Sequence, residues 1–254
     1  MSRVRTKRGP LATAAELLCW LLPPSKLKNR LLRMWGHDVA ETARVLPSIV
    51  VGVGHFHLGE HVRTGLLNVF HGLGTAWFDD CAIVESWNWI SAHPIYQELD
   101  PDAGTLFLGV RAKIGSRNYL DCSGTIVVRT FGTVGGQRCI LYTHEPDFEE
   151  DRQVAGRICV GAHSFIGSGA VLLKGATLPD RSQLAANSTL THTSASDGRP
   201  GLYAGAPAVW KRDAKGKWFD RTAYMINDHV IESPMGVGED DRGDPDKPQV
   251  TGVI

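Results

Sequence analysis

Imidazole is the side chain that exchanges a proton most readily near neutral pH, so the ten histidines of this 254-residue chain are the first candidates for chemistry. Most of ten must be bystanders. His144 stands apart, because it lies in Thr143-His144-Glu145-Pro146 at the head of a polar, acidic run that ends at Arg152. Such a run reads as a loop, and a histidine on a loop held by a rigid scaffold suits a general base. The plainer reading is an exposed loop histidine. A second concentration, His55, His57, His61 and His71, invites a metal reading, but its spacing is loose. The five cysteines (Cys19, Cys81, Cys122, Cys139, Cys159) are odd in number and contain no Cys-x-x-Cys pair. They argue against a disulfide framework and a structural zinc site, and they predict buried thiols in a reducing, cytoplasmic compartment.

Charge narrows the partners. Lys plus Arg and Asp plus Glu both number 27, so nothing in the overall balance points to nucleic acid. The distribution is uneven. Arg3, Arg5, Lys7 and Arg8 crowd the start; Glu239, Asp240, Asp241, Asp244 and Asp246 crowd the end. The basic start followed by the apolar run 11–22 imitates a signal peptide, but Glu16 interrupts the run, Pro23-Pro24 ends it, and no small-x-small site follows. It is also short of the ~20 apolar residues that a membrane span needs. The segment reads as a short helix, followed by a basic amphipathic one at 26–35. The pair either packs on the main domain or lies on a membrane surface.

The elements that must position His144 are written in a repeat. From Val160 an aliphatic falls every sixth residue: Ile166, Leu172, Leu178, Leu184 and Leu190 follow. Four residues after each comes a small side chain: Ser164, Ala170, Ala176, Ser182, Ser188 and Ser194. Chance would give such an aliphatic series in about one register in ten thousand. Leu108, Ile114, Leu120 and Ile126 keep the same spacing, with Gly109, Gly115 and Asp121 directly after the first three. A weaker block holds Val51-Gly52 and Leu58-Gly59 and degrades towards Trp77, Trp87 and Trp89. A helix would space apolar residues by three and four, and a half-buried strand would alternate them. A period of six fits short strands joined at corners, three to a triangular coil, with aliphatics pointing inward and Gly, Asn or Asp at corners of positive φ. The period fails between Ile126 and Ile158, and the excursions 93–105 and 143–157 are expected to project from the stack.

At these residues the chain resembles the hexapeptide-repeat acyltransferases, nearest to the maltose and galactoside O-acetyltransferase type. The resemblance covers 108–212. It rests on Thr143-His144-Glu145-Pro146, Val160-Gly161, Phe165-Ile166-Gly167-Ser168-Gly169-Ala170 and Gly205-Ala206-Pro207-Ala208, followed by Lys211-Arg212. Phe165 stands where the family usually has Trp, and Thr191-His192-Thr193 replaces its usual Thr-Lys-Asp. The resemblance implies a left-handed parallel β-helix and acyl transfer from coenzyme A, with acetyl as the expected group and a hydroxyl of a saccharide or other small acceptor as its destination. It further implies a homotrimer with sites between subunits.

Site residues follow from the same resemblance. His144 matches the catalytic base. Asp121 aligns with an asparagine near the reacting centre, where it would orient the acceptor or serve only as a corner aspartate. Ser168 matches the position whose backbone N–H faces the thioester oxygen, and Ala185 and Ala186 match small residues beside the pantetheine arm. Lys211 and Arg212 would meet the coenzyme A phosphates; a solvated charge pair is the alternative. The γ-class carbonic anhydrases share this fold, but no His-x-x-x-x-His pair stands on the period here, so no metal is expected. A non-catalytic β-helix scaffold is the other reading. The expected organisation is a helical extension over 1–44, an all-β domain over 45–212, and a C-terminal extension over 213–254. The end of that extension, 239–254, is too acidic and too poor in large apolar residues to offset its ordering entropy. The chain is expected in the cytoplasm, or at the inner face of the membrane through its N-terminal helix.

Overall fold

The computed structural model describes residues 9–223, so the readings made for 1–8 and for 224–254, including the acidic tail, lie outside the described residues. After two helices, the chain winds through a left-handed parallel β-helix whose strands fall on three faces. The first face runs through Asp38–Val39, His55–Leu58, Thr75–Phe78, Thr105–Leu108, Thr125–Val128, Arg157–Val160 and Thr177–Leu178. The second begins at Arg44–Val45 and the third at Ile49–Val51, and each adds one strand per coil. The strands of the coils pair in parallel. The four-residue strands of the first face bury alternate side chains, and Leu58, Phe78, Leu108, Val128, Val160 and Leu178 stack there as one buried column. No single coil could bury such a column alone.

The six-residue pattern is cleanest where the coil is shortest. Val160 pairs with Leu178, eighteen residues on, whereas Leu58 pairs with Phe78 and Leu108 with Val128, each twenty residues on. The longer coils place the extra residues at the third corner, which blurs the period upstream. The coil structure begins at Asp38, inside the segment 1–44 read as a helical extension, where the blurred period gave no sign of it. The predicted small residues Ser164, Ala170, Ala176, Ser182 and Ser188 are buried at the corners, while Ser194 lies in a turn beyond the last coil.

The corners depart from expectation in composition. Residues with positive φ include Cys81, Trp87, Arg111, Phe131, His163 and Arg181, not mainly Asn or Asp. Each such conformation costs about 1–2 kcal/mol for a residue with a Cβ. An amide ladder offsets it. Cys81 N donates to Glu60 O (2.8 Å), Arg111 N to Asp80 O (2.9 Å), Phe131 N to Val110 O (3.0 Å) and His163 N to Thr130 O (3.0 Å). Stacking therefore decides these turns, and the side chain is free to vary.

The first coil has no coil beneath it, so the backbone groups on its open side would be orphaned. Helices α1 (Pro10–Leu21) and α2 (Lys26–Met34) cover that end with polar side chains turned inward. The fully buried Lys28 donates from Nζ to the carbonyls of Trp20 (2.7 Å), Leu22 (2.8 Å) and Val45 (3.0 Å). Asn29 Nδ2 donates to Ala40 O (3.1 Å) and Ala43 O (2.8 Å). Glu16 meets His37 at 2.8 Å, and His37 Nδ1 accepts from Phe56 N at 3.2 Å. Lys28→Met keeps the length and removes the donors, leaving buried carbonyls unpaired. It is expected to cost about 2–4 kcal/mol and to lower Tm by roughly 5–15 °C. A thermal melt checks this, and an unchanged Tm would mean that the carbonyls do not depend on the amine.

Candidate active site

His144 owes its position to the third corner. The strands Trp89–Ser91, Tyr119–Asp121 and Ile140–Tyr142 lie side by side, with Ser91, Asp121 and Tyr142 in register. After Ser91 the chain makes its first excursion, which carries the short helix α3 (Ile95–Leu99). After Asp121 it turns tightly. After Tyr142 it leaves again as a hairpin, His144–Asp147 paired with Arg152–Ala155. The two interruptions thus leave from one corner, on either side of the coil that holds Asp121.

Asp121 is the hub of the corner, its side chain only 6% exposed. Its Oδ1 accepts from Ser123 Oγ (2.6 Å) and Ser123 N (3.2 Å). Its Oδ2 accepts from Thr143 N (3.0 Å), His144 N (3.2 Å) and His144 Nδ1 (2.7 Å). Burial pushes the Asp121 carboxyl up, but the hydrogen bonds from Ser123 and His144 and the charge of His144 outweigh it, so its pKa lies below the ordinary carboxylate value. An ionised carboxylate only accepts, so the proton of neutral His144 sits on Nδ1. That leaves the Nε2 lone pair pointing away from Asp121, on a side chain 36% exposed. The pair has the geometry of an oriented base. Asp121 therefore sits at a corner, one of the two readings given it by sequence, and from there it grips the histidine.

Three further residues of the corner were not legible in the sequence. Thr143 Oγ1 lies 2.8 Å from Asp121 O and accepts from Gly124 N at 2.8 Å, which fixes the exit of the hairpin. Ser123 holds the carboxylate and also accepts from His93 N at 3.0 Å, tying the first excursion to the hub. Tyr96, on α3, places its ring 5.9 Å from that of His144. Burial and the Asp121 charge push the Tyr96 hydroxyl pKa up, so it stays protonated and can donate a hydrogen bond. The available signal was the pair of breaks in the period, but only the register shows that they share a corner.

The remaining predicted residues lie elsewhere. Ser168 is exposed at the second corner, after Phe165–Ile166, and Ala185 and Ala186 occupy that corner one coil on. A Cβ at Gly167 would stand 2.6 Å from Ala186 N, so the ledge there is tightly packed and small. Lys211 and Arg212 are exposed on Ala208–Arg212, which folds back antiparallel on Leu202–Gly205 beyond the last coil of the second face. Neither makes an ion pair among the described residues. Within one chain the second and third corners stand about 15–20 Å apart, six nearly extended residues at ~3.3 Å each. The fold joins His144 to Asp121 and Ser168 to Ala185 and Ala186, but it does not join the two groups.

The upstream histidines, whose concentration in the sequence invited a metal reading, are spread over two faces and a corner. His55 and His57 lie on the first face, His61 at the corner after it, and His71 on the third face. His57 Nδ1 meets Asp38 at 2.7 Å, and its ring stacks on Trp77 with centroids 3.9 Å apart. Only His71 shares the column of Asp121, two strands away. Among the described residues no three His, Cys, Asp or Glu side chains are grouped to hold a metal ion.

No family model matches the chain, and no curated protein matches it in sequence. Among solved structures it is similar to a mutant of AntD, an N-acyltransferase from Bacillus cereus crystallised with dTDP-4-amino-4,6-dideoxyglucose and coenzyme A. That likeness has 12% identity over 75% of this chain and 91% of that one, with a TM-score of 0.42. It is also similar to the polySia-specific acetyltransferase NeuO, at 12% identity over 78% and 87% of the two chains, TM-score 0.38. The hexapeptide-repeat acetyltransferase VCA0836 from Vibrio cholerae shares 16% identity over 81% and 90%, TM-score 0.35.

Proposed function

We propose that this protein is a coenzyme A-dependent acyltransferase, with acetyl as its group, a hydroxyl of a saccharide or other small acceptor as its target, and His144 as its base. The observation that carries the reading is the 2.7 Å bond between His144 Nδ1 and the buried Asp121 carboxylate. It leaves Nε2 as an exposed acceptor for the proton of a weak nucleophile. The acceptor oxygen attacks the thioester carbonyl as its proton passes to Nε2. The tetrahedral oxyanion meets a backbone N–H, for which Ser168 is our candidate. Collapse breaks the carbon–sulfur bond, and the coenzyme A thiolate takes the proton back from the imidazolium. The Tyr96 hydroxyl is placed to donate to the acceptor. Ala185 and Ala186 give the pantetheine arm a ledge without bulk, and Lys211 and Arg212 supply cations for the phosphates. No metal enters these steps.

Because the fold separates Ser168 from His144 within one chain, a complete site takes the Ser168 corner from a neighbour. A homotrimer about a threefold axis running alongside the prisms supplies one neighbour for each site. The third face offers Trp89 and Tyr119 on its outer surface, both exposed in one chain. Labelled acetyl-CoA offered with sugars, polyols and amino acids tests the activity, and transfer to a hydroxyl-bearing acceptor is expected. Sedimentation of the same preparation should return a trimer at micromolar concentration. A stable monomer that turns over would defeat the shared site, and failure to bind coenzyme A would defeat the enzyme reading altogether.

A further inference from the structure

The helices over the open end of the coil are inside out. The inward side of α1 carries Glu16 and Trp20, and that of α2 carries Lys28 and Asn29, because the first coil needs donors and polar partners. At 100° per residue, the outward side of α1 consists of Leu11, Ala14, Ala15, Leu18 and Leu21, all exposed, with no polar side chain among them. Leu11 is 86% and Leu18 65% exposed. On α2, the exposed Leu27 and Met34 lie among the exposed Lys26 and Arg30. Apolar side chains turned outward over two successive helices are more than the scattered exposure of an ordinary surface.

We infer that this helical cap docks on the surface of an anionic lipid bilayer, with the α1 leucines entering the interface and the basic side chains meeting lipid headgroups. Charge selects the occupant. Residues 1–35 hold eight Lys or Arg, of which Lys28 is buried, and one acidic residue, the buried Glu16, although the whole chain is neutral. A second copy meeting this face symmetrically would oppose like charges, whereas an anionic bilayer neutralises them. Leucines flanked by Lys and Arg are also the composition of helices that lie in the membrane interface. A span is not at issue. The twelve residues of α1 reach about 18 Å, short of a ~30 Å hydrocarbon core, and no described helix is long and apolar enough to cross. This inference does not depend on the acyltransfer reading.

The test is co-sedimentation of the full chain with phosphatidylcholine vesicles made with and without phosphatidylglycerol. Binding is expected to the anionic vesicles, and it should weaken as salt rises. Leu11→Ser combined with Leu18→Ser should weaken it at least about tenfold, as should Lys26→Glu with Arg30→Glu. Because all four side chains are exposed, the variants should melt with the wild type, which separates lost binding from lost folding. No sedimentation with anionic vesicles at low salt would overturn the proposal, as would equal sedimentation of the wild type and the leucine variant. Self-association in vesicle-free buffer that the leucine variant abolishes would assign the face to a second copy instead.

Discussion

Replacing His144 by alanine is expected to lower kcat by about a hundredfold to ten-thousandfold, the range for loss of a general base. In the proposed reaction the attacking hydroxyl sheds its proton as the carbon–oxygen bond forms, and His144 Nε2 is the proposed acceptor. Affinity for coenzyme A should stay nearly constant, since its phosphates are assigned to Lys211 and Arg212. Lys211→Ala with Arg212→Ala should give the converse, a weaker complex with a smaller loss of kcat. His144 is half-exposed at the start of a hairpin, so Tm should move little, and a melt serves as the control for folding. Near-normal turnover of His144→Ala with a verified acceptor would place the base elsewhere.

Asp121→Asn should be the second largest effect, and it should act on both rate and stability. The carboxylate accepts on both oxygens, from Ser123 on one and from Thr143 and His144 on the other. An amide must turn its NH2 towards one of these sets, so a donor faces a donor in either orientation. With NH2 towards His144, the imidazole must accept at Nδ1 and carry its proton on Nε2, where it can no longer act as the base. A loss of about tenfold to a thousandfold in kcat is expected, with KM for acyl-CoA little changed. Stability should fall by about 1–3 kcal/mol at neutral pH.

The pH dependence of that stability has a definite sign. The Asp121 pKa is depressed in the folded protein. Its stabilising contribution is therefore complete above the ordinary carboxylate value of about 3.9 and is lost as pH falls through the lower folded value. The wild type should thus lose Tm over that acidic window, and the Asn variant should lose less of it. Equal acid sensitivity in the two proteins would mean that the Asp121 hydrogen bonds contribute nothing to folding.

How much of this was legible in the chain depends on the range of the interaction. The fold was, because the side-chain period is local. Val160, Ile166, Leu172, Leu178, Leu184 and Leu190 announce inward positions at each step, and all six are buried. His144 could be singled out for a similar reason, since a break in a period is itself a sequence signal. The two N-terminal helices were also readable, from Pro23-Pro24 between an apolar segment and a basic amphipathic one.

What the chain could not disclose was everything set by stacking. Ser91, Asp121 and Tyr142 are thirty and twenty-one residues apart and become neighbours only because coils of unequal length come into register. That register gives Asp121 its grip on His144, brings Tyr96 to the same corner, and moves Ser168 to another. It also decides that α1 turns Glu16 inward and its leucines outward, against the usual sense of an amphipathic helix. Hydrophobic periodicity reports which side chains face a core, and it is written residue by residue. The hydrogen-bond demands of a corner or an open coil end arise only once the backbone is stacked, so only the tertiary structure can say which polar groups answer them.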